Sequence, residues 1–102
     1  MTIDKFMNKK WYVYIITNYT NNVFYTGVTS NLEKRIWEHQ NKLNVNSFTS
    51  KYNVNKLILF EEFSNPGEAI ITEKKVKDMR REKKLKLIKA KNPDFRNLLP
   101  RG

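Results

Sequence analysis

The pattern of apolar and polar residues predicts three β-strands. Aromatic and β-branched residues dominate residues 11–17 and 23–29, and the Asn-rich stretch between them is typical of a hairpin connection. A third strand is predicted near residues 56–63, where a continuous apolar run indicates that helices cover at least one side of the strand. The three segments predict a largely antiparallel sheet.

The register of the hairpin decides which tyrosines share a face. Side chains alternate between the two faces along a strand, so a shift of one residue reverses the face. Pairing Val23 with either Ile16 or Asn18 places Tyr14 and Tyr25 on the same face. We expect this same-face arrangement, although the sequence alone does not fix the register.

A helical period begins directly after the second strand and predicts a helix over residues 31–43. The residues at spacings of four, three and four are Leu32, Ile36, His39 and Leu43. Ser30 and Glu33 match a capping box at the start of this helix. At about 100° per residue, His39 lies on the apolar stripe and Arg35 flanks it. An imidazole and a guanidinium therefore border the face that should pack on the hairpin.

Two further helices are predicted after the third strand. Pro66 suits the first helical position, with Ser64 or Asn65 as the cap, which predicts a helix over residues 66–80. A narrow apolar stripe predicts another helix over residues 82–90. The expected fold is therefore α/β (α+β), with a three-stranded, mainly antiparallel sheet covered by about three helices.

Length and composition indicate one domain, with a core of about residues 9–99 in a chain of 102. The sequence has no cysteine, which excludes disulfides and thiolate metal sites. The longest apolar run is too short to span a membrane, and the first residues lack the apolar region of a signal peptide. We therefore expect a cytoplasmic protein without a membrane partner.

The positive charge is concentrated in one segment. The chain carries a net charge of +10, and residues 73–91, with ten basic and three acidic side chains, supply +7 of it. Such a segment is either a solvated helix whose lysine stems cover apolar surface or a binding surface for phosphates. The residues predicted to contact nucleic acid are Lys74, Lys77, Arg80, Arg81, Lys83, Lys84 and Lys86.

One carboxylate interrupts the apolar stripe of the helix predicted over residues 66–80. Glu73 lies on the stripe of Ala69 and Val76, so its side chain should face inward. It is either a structural partner of Lys77 or a functional group, and the residues alone leave the two interpretations equal.

Residues 12–14 (YVY), 25–27 (YTG) and 31–35 (NLEKR), followed by His39, resemble the GIY-YIG nuclease domain in both residue type and spacing. The resemblance covers about residues 9–99. It is to the small, single-domain YhbQ-like branch, which is related to the N-terminal domain of the C component of the ABC excinuclease.

Three positions depart from the family's pattern. Tyr12 stands at the first Gly of the signature and Thr26 at the middle Ile, and both positions look structural. Many relatives carry an Asn about three turns after the metal-binding Glu, which here falls near Leu85. The nearest Asn is Asn92, which is therefore an additional candidate for the site.

The resemblance implies phosphodiester hydrolysis with one divalent metal ion, Mg²⁺ or Mn²⁺. Tyr25 would act as general base or position the water, with Tyr14 and His39 supporting it. Arg35 would bind the phosphate through its planar guanidinium, and Glu73 would hold the metal. Each residue alone has an ordinary structural explanation, so the interpretation depends on their joint spacing.

We therefore expect a metal-dependent nuclease that acts on DNA, with RNA not excluded, in DNA repair or processing. One alternative is a nucleic-acid-binding module with a nuclease-like fold and little turnover. A second alternative is a basic RNA- or ribosome-associated protein. The presence of all the candidate Tyr, Arg, His and Glu residues argues against this alternative. Residues 48–53 are predicted to form a loop, and Lys51 within it is a further candidate for a phosphate contact.

Overall fold

Strand β1 is the centre of a three-stranded sheet with the order β2-β1-β3 and antiparallel neighbours throughout. The computed structural model describes residues 9–42 and 47–98. The strands are β1 (Trp11–Thr17), β2 (Phe24–Thr29) and β3 (Lys56–Phe63). The helices are α1 (Leu32–Gln40), α2 (Ser47–Lys51), α3 (Pro66–Lys77) and α4 (Arg81–Lys91). The predicted fold class and antiparallel sheet are confirmed.

The register of the hairpin places both tyrosines on one face. Tyr14 lies opposite Gly27, and Ile16 lies opposite Tyr25. Paired residues of an antiparallel ladder point to the same side of the sheet, so Tyr14 and Tyr25 share a face as expected. Of the two pairings considered for Val23, this register corresponds to the one with Asn18.

The two faces of the sheet carry separate halves of the core. On one face, which we call the α1 face, the buried residues are Tyr14, Ile16, Ile36, Val54 and Leu57. On the other, the α3/α4 face, they are Ile15, Ile58, Leu59, Val76 and Ile88. The central strand is therefore buried on both sides, because its alternate side chains meet different helices.

The start of α1 differs from the prediction. The N-cap is Asn31, whose side chain accepts a hydrogen bond from the Lys34 amide, so the capping box from Ser30 to Glu33 is wrong. The reason is that the Thr29 hydroxyl accepts from the Asn31 amide and keeps the chain extended for one residue more. Residue 43, the last of the predicted stripe, lies outside the described part of the chain.

A short helix was missed in the stretch predicted to be a loop. Helix α2 spans five residues, too few for a helical period to be recognised, and a helix this short depends on tertiary contacts. Its Thr49 is buried, and the Thr49 carbonyl accepts from the Val54 amide at 2.9 Å.

The helices after β3 follow the prediction more closely. Asn65 caps α3 and Pro66 begins it, but the helix ends at Lys77 rather than at residue 80. Helix α4 begins one residue earlier and ends one residue later than predicted. None of the helices within residues 9–42 and 47–98 is long and apolar enough to cross a membrane.

Candidate active site

The ring of Tyr14 lies directly over Gly27 of the neighbouring strand. A Cβ atom added at Gly27 would be 2.5 Å from the Tyr14 hydroxyl oxygen and 2.6 Å from ring atom Cζ. No side chain fits in that space unless the ring moves. The Gly of the YTG motif is therefore required by the close approach of the tyrosine from the YVY motif.

His39 joins Tyr14 to helix α2. The imidazole is 3% exposed, and its Nε2 atom lies 3.2 Å from the Tyr14 hydroxyl oxygen. On the other side of the ring, Nδ1 lies 3.2 Å from the hydroxyl oxygen of Thr49. Both ring nitrogens therefore have hydrogen-bond partners inside the protein.

Tyr25 completes a group of three rings. Its centroid is 6.4 Å from that of Tyr14 and 5.6 Å from that of His39. We call Tyr14, Tyr25 and His39 the Tyr–His cluster. Tyr14 is fully buried whereas Tyr25 is only half-buried, so Tyr25 is the member best placed to meet a ligand.

Arg35 places a positive charge beside the Tyr–His cluster. Arg35 is half-buried, and its positive charge acts on the Tyr14 hydroxyl. It also forms an ion pair with Glu38, with 3.3 Å between Nε and the carboxylate oxygen. Since a guanidinium only donates hydrogen bonds, Arg35 is suited to bind an anionic oxygen next to the phenol.

Burial sets the protonation of the two interior groups. It raises the pKa of Tyr14 to about 12, with a further increase from nearby Tyr25 and an opposing effect from Arg35. Burial also lowers the pKa of His39 to about 4, and the charge of Arg35 lowers it further. At neutral pH Tyr14 is therefore protonated and His39 is uncharged.

Glu73 is buried as expected, on a helix that packs on the opposite side of the sheet from the Tyr–His cluster. Its residue exposure is 9%, and a carboxylate oxygen lies 3.2 Å from the Lys77 ammonium nitrogen. Helix α3 packs through Val76 on the α3/α4 face, whereas the Tyr–His cluster is on the α1 face. Helix α3 also contacts β2, the edge strand that carries Tyr25.

The donor set limits which metal this chain suits. Within the described residues, no group of three or more His, Cys, Asp or Glu side chains is arranged to hold a metal ion. The described residues therefore contain no metal site in which protein side chains supply most of the ligands. Mg²⁺ keeps several waters and often takes only one or two carboxylates plus substrate phosphates, so the single inward carboxylate of Glu73 fits such an ion.

Some of the residues predicted to contact nucleic acid have exposed side chains, and others already interact with neighbouring residues of the protein. Arg81 donates to the Asn22 carbonyl at 2.8 Å, and its guanidinium lies 5.0 Å from the centroid of the Phe24 ring. Lys84 is half-buried, and burial followed by the charge of Arg81 lowers its pKa. Lys77 is exposed but paired with Glu73. The remaining predicted contacts are exposed, and they are Lys74, Arg80, Lys83 and Lys86.

The structure does not bring the two additional candidates into the Tyr–His cluster. Asn92 is buried, and its side-chain nitrogen donates to the carbonyls of Ile58 and Arg96. Its side-chain oxygen accepts from the Arg96 amide, so Asn92 stabilises the chain after α4. Lys51 is exposed, with its ammonium 5.5 Å from the centroid of the Tyr52 ring.

Thr49 is the member of this neighbourhood that sequence reasoning missed. Its position in a supposed loop gave no periodicity, and a buried threonine has no signature of its own. Only the contact with His39, ten residues earlier, reveals it.

Comparisons with known proteins identify the family of this chain. The model of the GIY-YIG catalytic domain matches residues 10–86. A UPF0213 protein of Clostridium perfringens is 41% identical over 81 residues, 79% of this chain and 85% of that protein. One from Staphylococcus haemolyticus is 37% identical over 82 residues, 80% of this chain and 98% of that protein. The solution NMR structure of a UPF0213 protein from Bacillus halodurans is similar with a TM-score of 0.53 and 27% identity, covering 86% of this chain and 92% of that one.

Proposed function

Because this chain belongs to the GIY-YIG catalytic domain family, we propose that it is a divalent-metal-dependent nuclease that hydrolyses phosphodiester bonds in DNA. The supporting observation is the hydrogen bond between Tyr14 and His39 inside the Tyr–His cluster, beside Arg35. A sheet face with only a packing role would not need a buried phenol, an imidazole and a guanidinium in contact.

Each residue has a role that follows from its exposure and protonation. Tyr25 is the half-buried phenol, so it positions the attacking water or takes its proton. Tyr14, whose pKa of about 12 keeps it protonated, supports the site as a hydrogen-bonding group rather than as a base. His39 fixes Tyr14, and Arg35 binds the phosphate oxygens through its planar guanidinium.

Glu73 is the residue that would hold the metal. When bound, a divalent ion supplies Lewis-acid stabilisation of charge on the phosphate and the leaving oxygen. The chain itself contributes one inward carboxylate on α3, close to the edge strand. In the absence of an ion, Lys77 partly neutralises that carboxylate.

A cleavage assay tests this proposal directly. Supercoiled plasmid, nicked duplex, branched DNA, single-stranded DNA and RNA should each be incubated with Mg²⁺, Mn²⁺ or a chelator. We expect metal-dependent cleavage of at least one DNA substrate, and loss of cleavage in Tyr25→Phe. The matched control is Tyr19→Phe, because Tyr19 is 90% exposed in the hairpin turn and lies outside the Tyr–His cluster.

A nucleic-acid-binding module with little turnover is the second candidate. Two observations favour it: Glu73 already has a cationic partner in Lys77, and the amide of Asn92 is engaged in the chain after α4. Cleavage of no substrate under any metal condition, with DNA binding retained, would support this candidate and reject the nuclease.

A further inference from the structure

We propose that Thr49 is a positioning residue that holds His39 in the Nδ1–H tautomer, so that the Nε2 lone pair faces the Tyr14 hydroxyl. The hydrogen-bond arrangement follows from contacts in the fold. Only its consequence for hydrolysis depends on the proposed nuclease function.

Thr49 is fixed in place by its surroundings. The residue is 2% exposed, and its hydroxyl oxygen lies 3.2 Å from His39 Nδ1. Its backbone carbonyl accepts from the amide of Val54, which packs in the same core cluster as Tyr14. Helix α2 thus presents a buried oxygen to the imidazole from a backbone anchored in the core.

The direction of the hydrogen bonds follows from what each group can donate. The positive charge of Arg35 acts on the Tyr14 hydroxyl, so it favours the orientation in which the phenolic oxygen faces the guanidinium and the hydrogen points away from it. The Tyr14 hydrogen then needs an acceptor, and His39 Nε2 lies within hydrogen-bond distance of it. A neutral imidazole that accepts at Nε2 carries its hydrogen on Nδ1, and Nδ1–H donates to the Thr49 oxygen.

The reverse arrangement satisfies fewer groups. If Thr49 donated to Nδ1, then Nε2–H would donate to the Tyr14 oxygen. The Tyr14 hydrogen would then have to leave its contact with His39 in a fully buried environment. An unsatisfied buried donor costs about 1–3 kcal/mol, which favours the arrangement in which Tyr14 donates to His39 and His39 donates to Thr49.

The consequence for the site is orientation rather than proton transfer. The pKa of Tyr14 is about 12 and that of His39 about 4, so the proton remains on the phenol. With its hydrogen directed to His39, Tyr14 turns an oxygen lone pair towards Arg35 and Tyr25. The Tyr14 oxygen can then accept a hydrogen bond from Tyr25, the half-buried phenol that positions the water.

The experiment uses the fact that His39 is the only histidine in the sequence. Nitrogen-15 NMR of the uniformly labelled protein at pH 7 therefore reports one imidazole. We expect Nδ1 to carry the hydrogen. Thr49→Val keeps the shape but removes the acceptor, so the population should shift towards Nε2–H, the form that free neutral histidine prefers. Thr49→Ser should restore Nδ1–H, and the control Ser50→Ala should leave it unchanged.

Kinetics then separate positioning from packing. We expect Thr49→Val to lower kcat roughly 10- to 100-fold with KM little changed, by analogy with the loss of outer partners of metal-bound histidines, and Thr49→Ser to recover most of it. An Nε2–H tautomer in the unmodified protein, or an unchanged Nδ1–H tautomer in Thr49→Val, would overturn the inference. If Thr49→Val does not fold, Thr49→Ala, which also removes the hydroxyl, takes its place in the same measurement. A protein that cleaves nothing would reject the nuclease while the tautomer measurement still stands.

Discussion

At the scale of single residues, the candidate site is a set of close contacts on one face of the sheet. Tyr14 occupies the space above Gly27, binds His39 and interacts with Arg35. A change at any of these positions should therefore act through the position of the Tyr14 hydroxyl.

Gly27→Ala tests the close approach of the two strands. The added methyl group would overlap the Tyr14 ring, so we expect a loss of about 1–3 kcal/mol in unfolding free energy and a displaced hydroxyl. Urea denaturation measures the stability, and cleavage should fall more than DNA binding. The control is Gly67→Ala, where the nearest atom to the new Cβ is the Asn65 side-chain oxygen at 3.0 Å. Equal effects of the two changes would contradict the prediction.

The protonation of His39 should make folding depend on pH. The unfolded chain takes up a proton as the pH falls through about 6.5, whereas the folded protein does so only near pH 4. The contribution of His39 to stability is therefore complete above pH 6.5 and decreases between about 6.5 and 4, by about 3 kcal/mol. We expect urea denaturation of the protein to show this decrease relative to His39→Gln. An imidazole titration midpoint at or above 6.5 by NMR would refute it.

At the scale of elements, helices α1 and α3 pack on opposite faces of the same sheet. Helix α1 contributes His39 and Arg35, and α3 contributes Glu73 next to the edge strand β2. Mutation of Glu73 therefore tests the contribution of α3 to the candidate site separately from that of α1.

Glu73→Gln separates metal binding from structure. The change keeps the shape but removes the charge, so metal-dependent cleavage should be lost while DNA binding persists. The ion pair it breaks involves a lysine side chain that is 59% exposed, so thermal stability should change by no more than about 1 kcal/mol. Glu68→Gln, at an exposed position in the first turn of α3, is the control. Full cleavage by Glu73→Gln would end its assignment as the metal ligand.

At the scale of the whole molecule, the basic surface consists of the exposed side chains of Lys74, Arg80, Lys83 and Lys86, on or beside helices α3 and α4. These helices pack on the side of the sheet opposite the Tyr–His cluster. Helix α4 packs through Ile88 on the α3/α4 face. Arg81, at the start of that helix, binds the Asn22 carbonyl and Phe24 and so joins α4 to the β1–β2 hairpin. Binding and cleavage should therefore respond to different mutations.

Salt dependence tests the role of the basic surface. If about five phosphates are neutralised on duplex DNA, log K should fall with log salt at a slope of roughly −4 to −5. Replacing the exposed Lys83 and Lys86 with Gln should make that slope shallower by about 2. The control removes the same charge at Lys9 and Lys10, next to β1, and should change the slope less. Affinity that does not vary with salt would reject an electrostatic interface.

The sequence by itself determined the features that depend on neighbouring positions along the chain. The bounds of β1, the start of α3, the inward position of Glu73 and the basic character of residues 73–91 all follow from local periodicity, capping and charge. If Val23 pairs with either Ile16 or Asn18, the spacing of the motifs also places Tyr14 and Tyr25 on a common face.

Only the tertiary structure decided which of those features meet. It selected the hairpin register, replaced the Ser30 cap by Asn31, formed α2 and packed α3, the helix of Glu73, on the face opposite the Tyr–His cluster. The tertiary structure also decided the contact between His39 and Thr49. The physical reason is that these arrangements are stabilised by contacts between residues far apart in sequence, such as Tyr14 and His39 at a separation of 25, which no local pattern encodes.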